Sequence, residues 1–393
     1  MDIIQQGIIT LIKSAITGER LPLPENFSLD EAQILIQKHS LLPLAYQGAL
    51  NCGFSVQTDI MRRWQLQYFQ YLARSEKQRY AVEQVCAAFE DNGIDYMPLK
   101  GCNMKKLYPK PEMRVMGDAD ILIRVEQYDR IKPIMKQLKY EAERGAEHEL
   151  VWNHPHLHLE LHKCLIPKMD SDLRAYFGVG WEKAIKKEGH RYDLSVEDSY
   201  IHLFTHMTKH FRSTGIGLRQ IVDLYVYQRA YPEMQKMLVE KVMAQLGLLK
   251  FYRNIGRLLT VWFEGAPADD VTELIAAYVF ANGNWGSETN RIYSDTLRKS
   301  RKASGNIKVR YVFRSLFPPL SVMKIRFPRL GKYVIAYPLC WVMRLLYGIF
   351  CAPKKVRNKI KLIGMITDEK AMDRQNSLRY MGLELQVDSG SDR

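Results

Sequence analysis

In the run Arg114-Val115-Met116-Gly117-Asp118-Ala119-Asp120-Ile121-Leu122-Ile123, two carboxylates stand two residues apart at the head of an apolar stretch. On a strand, alternate side chains share a face, so Asp118 and Asp120 point the same way. Carboxylates held side by side repel one another unless a cation lies between them. Hard divalent ions such as Mg²⁺ take such oxygen ligands, together with phosphate oxygens and waters. Gly117, directly before the pair, lets a phosphate or a backbone come close. The chemistry suggested is metal-assisted work on a phosphate. The bland alternative is a DxD on an ordinary solvated surface.

A third carboxylate is available in His156-Leu157-His158-Leu159-Glu160-Leu161-His162. Strict alternation there predicts a half-buried strand, with the leucines on the core face and Glu160 sharing the other face with three histidines. A polar face above a buried one suggests a cleft. A solvated edge strand gives the same pattern.

Other side chains carry weaker signals. His202, His206 and His210 recur every four residues and so lie along one side of a helix. Without an HExxH glutamate or a nearby Cys pair, zinc is a minor reading of them. A helix packed over the cleft, with His206 near substrate, competes with simple packing. Cys102 follows Lys100-Gly101, where a helix N-terminus would lower a thiol pKa. Nothing local stabilises a thiolate, and no role is assigned to it.

These residues need elements to hold them. Ser28-Leu29-Asp30-Glu31 has the capping-box pattern ahead of a short helix. A long helix is expected from about Thr58 to Phe89, ended by Asn92-Gly93. Strands are expected at 94–99, 119–123 and 156–162, with a turn or two of helix at 102–108 and a helix at 126–138 limited by Pro133. From about Glu197 the periodicity is helical again through Phe263. The expected domains are a helical region at 1–75, a small core at 76–170, a helical domain at 171–295 and a basic helical segment with its tail at 296–393.

Taken in order, Leu99-Lys100-Gly101, Arg114, the Gly117 to Ile123 strand and Glu160-Leu161-His162 resemble the uncharacterised nucleotidyltransferase family of the DNA polymerase β-like superfamily. The match covers Leu99 to Lys163 closely, and weaker similarity reaches Leu218-Arg219-Gln220-Ile221-Val222-Asp223-Leu224. The resemblance implies an α+β fold, a small mixed-sheet nucleotidyltransferase core with flanking helical domains. It also implies that Asp118, Asp120 and Glu160 hold Mg²⁺, with Mn²⁺ as a substitute. Lys100, Gly101 and Arg114 would grip the phosphates of a nucleoside triphosphate, and Glu160 could receive the acceptor's proton. His158, His162 and His206 are candidates for the substrate side. The acceptor would be a small molecule, peptide or carbohydrate. The wider superfamily grips phosphate with a Gly-Ser turn; here the turn is Lys100-Gly101-Cys102, a Lys-Gly form that the family shares.

The 393 residues are 47% hydrophobic and 25% charged, a globular composition that excludes a disordered or fibrous chain. The net charge of +14 is local: residues 296–367 hold 17 Lys/Arg and no Asp or Glu, while the remainder has 40 basic and 43 acidic residues. Charge therefore says little about the carboxylate site and much about the segment. Within it Tyr333–Ala352 carries one charge, Arg344, and a run of lysines and an arginine follows. A buried helix with a solvated basic continuation is the first expectation, and peripheral attachment to an anionic membrane the second. A transmembrane span comes last, because Pro338 and Arg344 interrupt it. Tyr311, Phe313, Phe317 and Phe327, interleaved with Arg310, Arg314, Lys324 and Arg326, keep nucleic acid as a minority partner. Six scattered cysteines and a start with no leader pattern point to a reduced, cytoplasmic setting, membrane-peripheral at most. The alternative to an enzyme is a non-catalytic nucleotide-binding or scaffold protein on an anionic membrane surface.

Overall fold

The structure is a computed structural model that describes residues 1–143, 149–167, 171–284, 286–298, 307–318, 337–364 and 366–384, with single residues 320, 323, 327 and 335. The chain divides into two compact units, Met1–Phe211 with Ile216–Trp285, and Arg212–Gly215 with Gly286–Arg393.

The first unit is α+β. It opens with α1 (Ile3–Thr17), α2 (Leu29–Lys38), α3 (Leu42–Asn51) and the 33-residue α4 (Asp59–Asp91). Ser28 caps α2, its Oγ accepting from the Glu31 N–H at 3.5 Å. α4 ends where the Asn-Gly pair predicts, with Gly93 at φ +63°, a backbone state that strains any residue with a Cβ. Ala81, Val85 and Phe89 along α4 are buried against the sheet that follows.

The sheet has five strands, β1 (Tyr96–Pro98), β2 (Asp118–Ile123), β3 (Glu141–Glu143), β4 (Glu149–His154) and β5 (Leu157–His162), in the order β1-β2-β5-β4-β3. β2 and β5 run parallel and the other pairs antiparallel. Between β1 and β2 lies the short helix α5 (Lys100–Met104), and α6 (Tyr128–Gln137) follows β2, running on past Pro133. Pro133 is exposed and loses only one backbone hydrogen bond there. β5 pairs on both sides, so its alternation marks a central strand and not a solvated edge. Leu157, Leu159 and Leu161 join Ala119, Ile121 and Ile123 in one core beneath α4 and α6. The opposite face carries the carboxylates.

After α7 (Ser171–Phe177) comes a small hairpin, β6 (Ile185–Lys186) and β7 (Tyr192–Asp193), tied to the first strand where the Tyr96 N–H donates to His190 O at 3.1 Å. The unit closes with α8 (Val196–Arg212), α9 (Leu218–Ala230), α10 (Lys236–Gln245), α11 (Leu249–Leu259) and α12 (Asp270–Asn282).

The second unit holds α13 (Glu288–Arg298), α14 (Ile307–Leu316), α15 (Tyr337–Cys351), α16 (Pro353–Gly364) and α17 (Asp368–Met381). Among the described residues one apolar cluster of this unit is built from Ile292, Tyr293, Ile366 and Ala371. None of the α15 side chains is buried: Leu339 is 64% and Phe350 75% exposed. The expected buried helix is thus an exposed one: its apolar residues run all round the helix, more than one face can bury. Among the described residues no helix is long and apolar enough to cross a membrane. Tyr333, Val334 and Ala336, the side chains of Arg310 and Arg314, all of Lys324 and Arg326, and the tail from residue 385 lie outside the described residues.

Candidate active site

The register of the parallel pair places Asp118 opposite His158, Asp120 opposite Glu160, and Leu122 opposite His162. Neighbouring strands stand roughly 4.8 Å apart, whereas two residues along a strand span about 6.6 Å. Cross-strand neighbours therefore meet more closely than Asp118 and Asp120 do. Among the described residues, the ligand-type atoms that fall within 4.8 Å of one another belong to Asp120, Glu160 and His162. Asp118 shares the face but stands outside that group.

His162 Nε2 lies 2.7 Å from Asp120 Oδ1 and 3.4 Å from Glu160 Oε2. Lys100 Nζ approaches the other oxygen of Asp120, Oδ2, at 3.4 Å. Two cationic groups thus flank the buried carboxylate. Burial alone would raise the pKa of Asp120, but the Lys100 charge and the His162 hydrogen bond hold it well below the usual carboxylate range. Burial opposes the charged form of His162, yet its bonds to Asp120 and Glu160 push its pKa up to about 9. The His162 bond, against the opposing effect of burial, lowers Glu160. Asp118 behaves oppositely: burial and the neighbouring Asp120 charge raise it, with Lys100 offsetting only in part. The site thus holds one carboxylate that is well compensated, Asp120, and another, Asp118, that is compensated only in part.

Local structure explains the turn. The Leu99 N–H donates to Asp120 O at 2.9 Å, and Asn103 Nδ2 donates to Pro98 O at 2.8 Å, so Lys100 is fixed over the second strand. A Cβ on Gly101 would stand 3.2 Å from Met116 Sδ, which would have to give by a few tenths of an ångström, and in ordinary contact with Arg114 Nη1 at 3.5 Å. Cys102 is no nucleophile, since burial pushes its thiol up to about 12. Gly117 enters β2 just after Met116, whose carbonyl accepts from Gln78 Nε2 at 3.0 Å.

Arg114 is buried, and its guanidinium is engaged by a carboxylate far along the chain. Its Nε donates to Asp223 Oδ1 at 2.8 Å and its Nη2 to Asp223 Oδ2 at 2.9 Å, while Tyr108 Oη donates to the same Oδ1 at 2.7 Å. The phosphate contact expected of Arg114 would have to compete with this fork. One helical turn before Asp223 on α9 stands Arg219, whose Nη1 donates to Val115 O at 2.6 Å. Its Nε is buried without a partner, and it has no ion pair among the described residues. Burial lowers its pKa, Arg114 does so further, and Asp118 is among the carboxylates that oppose this. The sequence contains a signal for both residues, an oppositely charged pair at i and i+4 flanking the apolar Ile221-Val222.

The histidines divide. His158 is half-exposed, its Nδ1 2.6 Å from Asn153 Oδ1 and its Nε2 3.7 Å from Glu160 Oε1. His202, His206 and His210 form a row on α8, with the Nε2 atoms of His206 and His210 3.1 Å apart. Burial holds His202 down to about 3 and His210 to about 4, and His206 well below the ordinary histidine value; the Lys100 charge adds to each. The row is therefore held neutral and lies within the field of Lys100.

Residues 25–264 match the model of a family described as uncharacterised nucleotidyltransferase. No curated protein matches the chain. A solved structure that does match is the solution structure of the antibiotic-resistance factor ANT(2'')-Ia, 12% identical, covering 49% of this chain and 100% of its own, with a TM-score of 0.33.

Proposed function

Because the chain belongs to the uncharacterised nucleotidyltransferase family, we propose that it moves a nucleotidyl group from a nucleoside triphosphate to an acceptor, with Asp118, Asp120 and Glu160 as its metal-holding carboxylates. The observation that carries this reading is the direct apposition of Asp120 and Glu160 across the parallel strands, with Lys100 on the far side of Asp120. The donor set suits a hard divalent cation: the Asp120 and Glu160 oxygens converge with His162, beside a further carboxylate, Asp118, that Lys100 and Arg219 offset only in part. Bound there, Mg²⁺, or Mn²⁺ in its place, would supply charge neutralisation for the phosphates.

The chain's own residues do the rest. Lys100 and the close-packed Gly101 turn hold the phosphates, Gly117 leaves room beside the carboxylates, and Arg114 sets the position of the loop that precedes β2. An acceptor hydroxyl attacks the α-phosphorus; the new oxygen–phosphorus bond forms as the bond to the pyrophosphate oxygen breaks. Glu160 takes the hydroxyl proton. His162 and His158 orient Glu160 from either side, and the neutral His206 row covers the cleft. Titration calorimetry with a non-hydrolysable nucleoside triphosphate tests the reading: binding should require Mg²⁺ and vanish in Asp118→Asn/Asp120→Asn. Binding that is absent in the wild type, or indifferent to the metal and the substitutions, overturns it. Labelled nucleotide, Mg²⁺ and a cell extract would then identify the acceptor.

A second reading concerns the second unit. The exposed apolar residues of α15 run directly into the basic α16, with no acidic residue across 296–367. That combination suits an anionic lipid surface, which attracts basic residues by roughly 1 kcal/mol each. Sedimentation with anionic vesicles, lost in Leu346→Asp/Phe350→Asp, supports it; equal sedimentation with neutral vesicles counts against it.

A further inference from the structure

We propose that a second compartment beside the carboxylates receives a phosphorylated acceptor, an inference that rests on the nucleotidyl-transfer reading and names its second substrate class. The compartment is a cavity of about 340 Å³ bounded by the end of β1, one side of α5, the β6–β7 hairpin and the facing parts of α8 and α9. That is the lower end of the size range of small-molecule sites, roughly 300–1,000 Å³.

Its lining is one-sided in charge. Lys100, Lys106, Lys187 and Arg191 face it, against a single carboxylate, Asp193. Asp193 is already held by Arg191, whose Nη2 stands 3.1 Å from its Oδ1 and 3.2 Å from its Oδ2. Lys106 and Lys187 are exposed and have no ion pair among the described residues. Two unpaired ammonium groups on one cavity, with Lys100 and Arg191 beside them, suit a dianion better than a single carboxylate. The remaining wall, including Leu107, Val196, Leu203 and Tyr231, is apolar or aromatic and would cover the uncharged body of such a molecule.

None of Asp118, Asp120, Glu160 or His162 lines the cavity, which sets it apart from the carboxylate face. Lys100 and His202 connect the two. Lys100 borders the cavity and stands 3.4 Å from Asp120, and the buried His202 is in the field of Lys100, Asp120 and His162. A ligand anchored by its phosphate at Lys106 and Lys187 would extend toward Lys100, where its hydroxyl would meet the reacting phosphate in the proposed transfer. The phosphate is the handle, and the nucleophile is a hydroxyl elsewhere on the molecule. That hydroxyl oxygen joins the α-phosphorus, pyrophosphate departs, and Glu160 takes the proton.

The test is a two-ligand calorimetric titration of the full chain. Mg²⁺ and a non-hydrolysable nucleoside triphosphate are first brought to saturation, and 4-nitrophenyl phosphate is then added as the probe. The wild type should bind the probe as a second ligand. Lys106→Glu/Lys187→Glu should weaken the probe by about a hundredfold, since each charge-assisted contact is worth about tenfold, and leave the nucleotide affinity within about twofold. Lys106→Ala/Lys187→Ala should show a smaller loss in the same direction, and matching melting curves for both variants check the fold. A wild type that binds the nucleotide but no probe overturns the compartment alone. A double variant that keeps the probe, or loses the nucleotide instead, also overturns it, the latter by assigning the cavity to the triphosphate. A wild type that binds no nucleotide overturns the transfer reading, and the acceptor role with it.

Discussion

Arg114 and Asp223, 109 residues apart in sequence, form a buried two-pronged ion pair that fastens the loop before β2 to α9. Such a pair is costly to break, because removing one partner leaves the other charged and buried. Asp223→Asn should destabilise the first unit by about 3–5 kcal/mol in urea denaturation. Arg114→Lys should not rescue the geometry, since an ammonium cannot reproduce the fork. A loss below about 1 kcal/mol would mean that water relieves the site.

Asp118 and Asp120 should respond to the same substitution with opposite signs. Asp120→Asn strands His162 and Lys100 beside a neutral amide and should cost about 3 kcal/mol, as for half of a buried ion pair. Asp118→Asn removes a carboxylate whose pKa is raised by burial and by its neighbour's charge, so the metal-free protein should gain stability. Thermal melts in EDTA measure both. A shared sign would show that the two carboxylates are not split by environment in the way described.

The sequence patterns that proved legible are those written in periodicity. Asp118 to Ile123 and Leu157 to His162 read correctly as strands because their core residues are consecutive or strictly alternating. Asn92-Gly93 likewise marks the end of α4 through one backbone requirement. The strands that went unread, Glu141–Glu143, Glu149–His154, Ile185–Lys186 and Tyr192–Asp193, are short or polar and depend on partners for their conformation. The pairing of Asp120 with Glu160 is a matter of strand register, and His162 joins them because its imidazole reaches diagonally to Asp120 Oδ1 and back to Glu160 Oε2, which no run of letters carries. Arg219, Asp223 and the cations around the cavity come from segments up to about a hundred residues away, joined only by packing.

His39 makes stability fall in acid. It is fully buried, its Nδ1 accepting from the Leu218 N–H at 3.1 Å and its Nε2 lying 3.3 Å from Phe280 O. The first bond requires a bare Nδ1, so the proton is on Nε2 and a second proton has no place. Burial lowers its pKa from 6.5 to about 4, with the Phe280 bond opposing in part and Lys38 adding to the drop. Between those values the unfolded chain binds a proton that the native protein refuses, so stability is greatest above 6.5 and falls as pH drops toward 4. At 1.36 kcal/mol per pKa unit the loss is about 3 kcal/mol from this residue alone. His202 and His210, also depressed by burial, add loss of the same sign. His39→Gln should be less stable than the wild type at neutral pH and show a shallower decline in urea titrations between pH 7 and 4.5.

Arg219 should separate binding from stability. Two arginines, Arg114 and Arg219, stand near one another with Asp223 bound to the first, which leaves Arg219, its Nε buried without a partner, a cation whose charge Asp223 and Asp118 balance only in part. A buried charge without a full partner lowers stability, so Arg219→Ala should leave the melting temperature unchanged or raise it. In the proposed reaction the incoming triphosphate is the missing partner, and a charge-assisted fork to it is worth roughly 1.5–3 kcal/mol. Arg219→Ala should therefore weaken a Mg²⁺-nucleotide analogue by about tenfold or more, and Arg219→Lys should restore only part of that. A purely structural Arg219 predicts the reverse, a lower melting temperature with unchanged nucleotide affinity. The two measurements on one variant decide whether the phosphate contact expected of Arg114 belongs to the residue one turn before its partner.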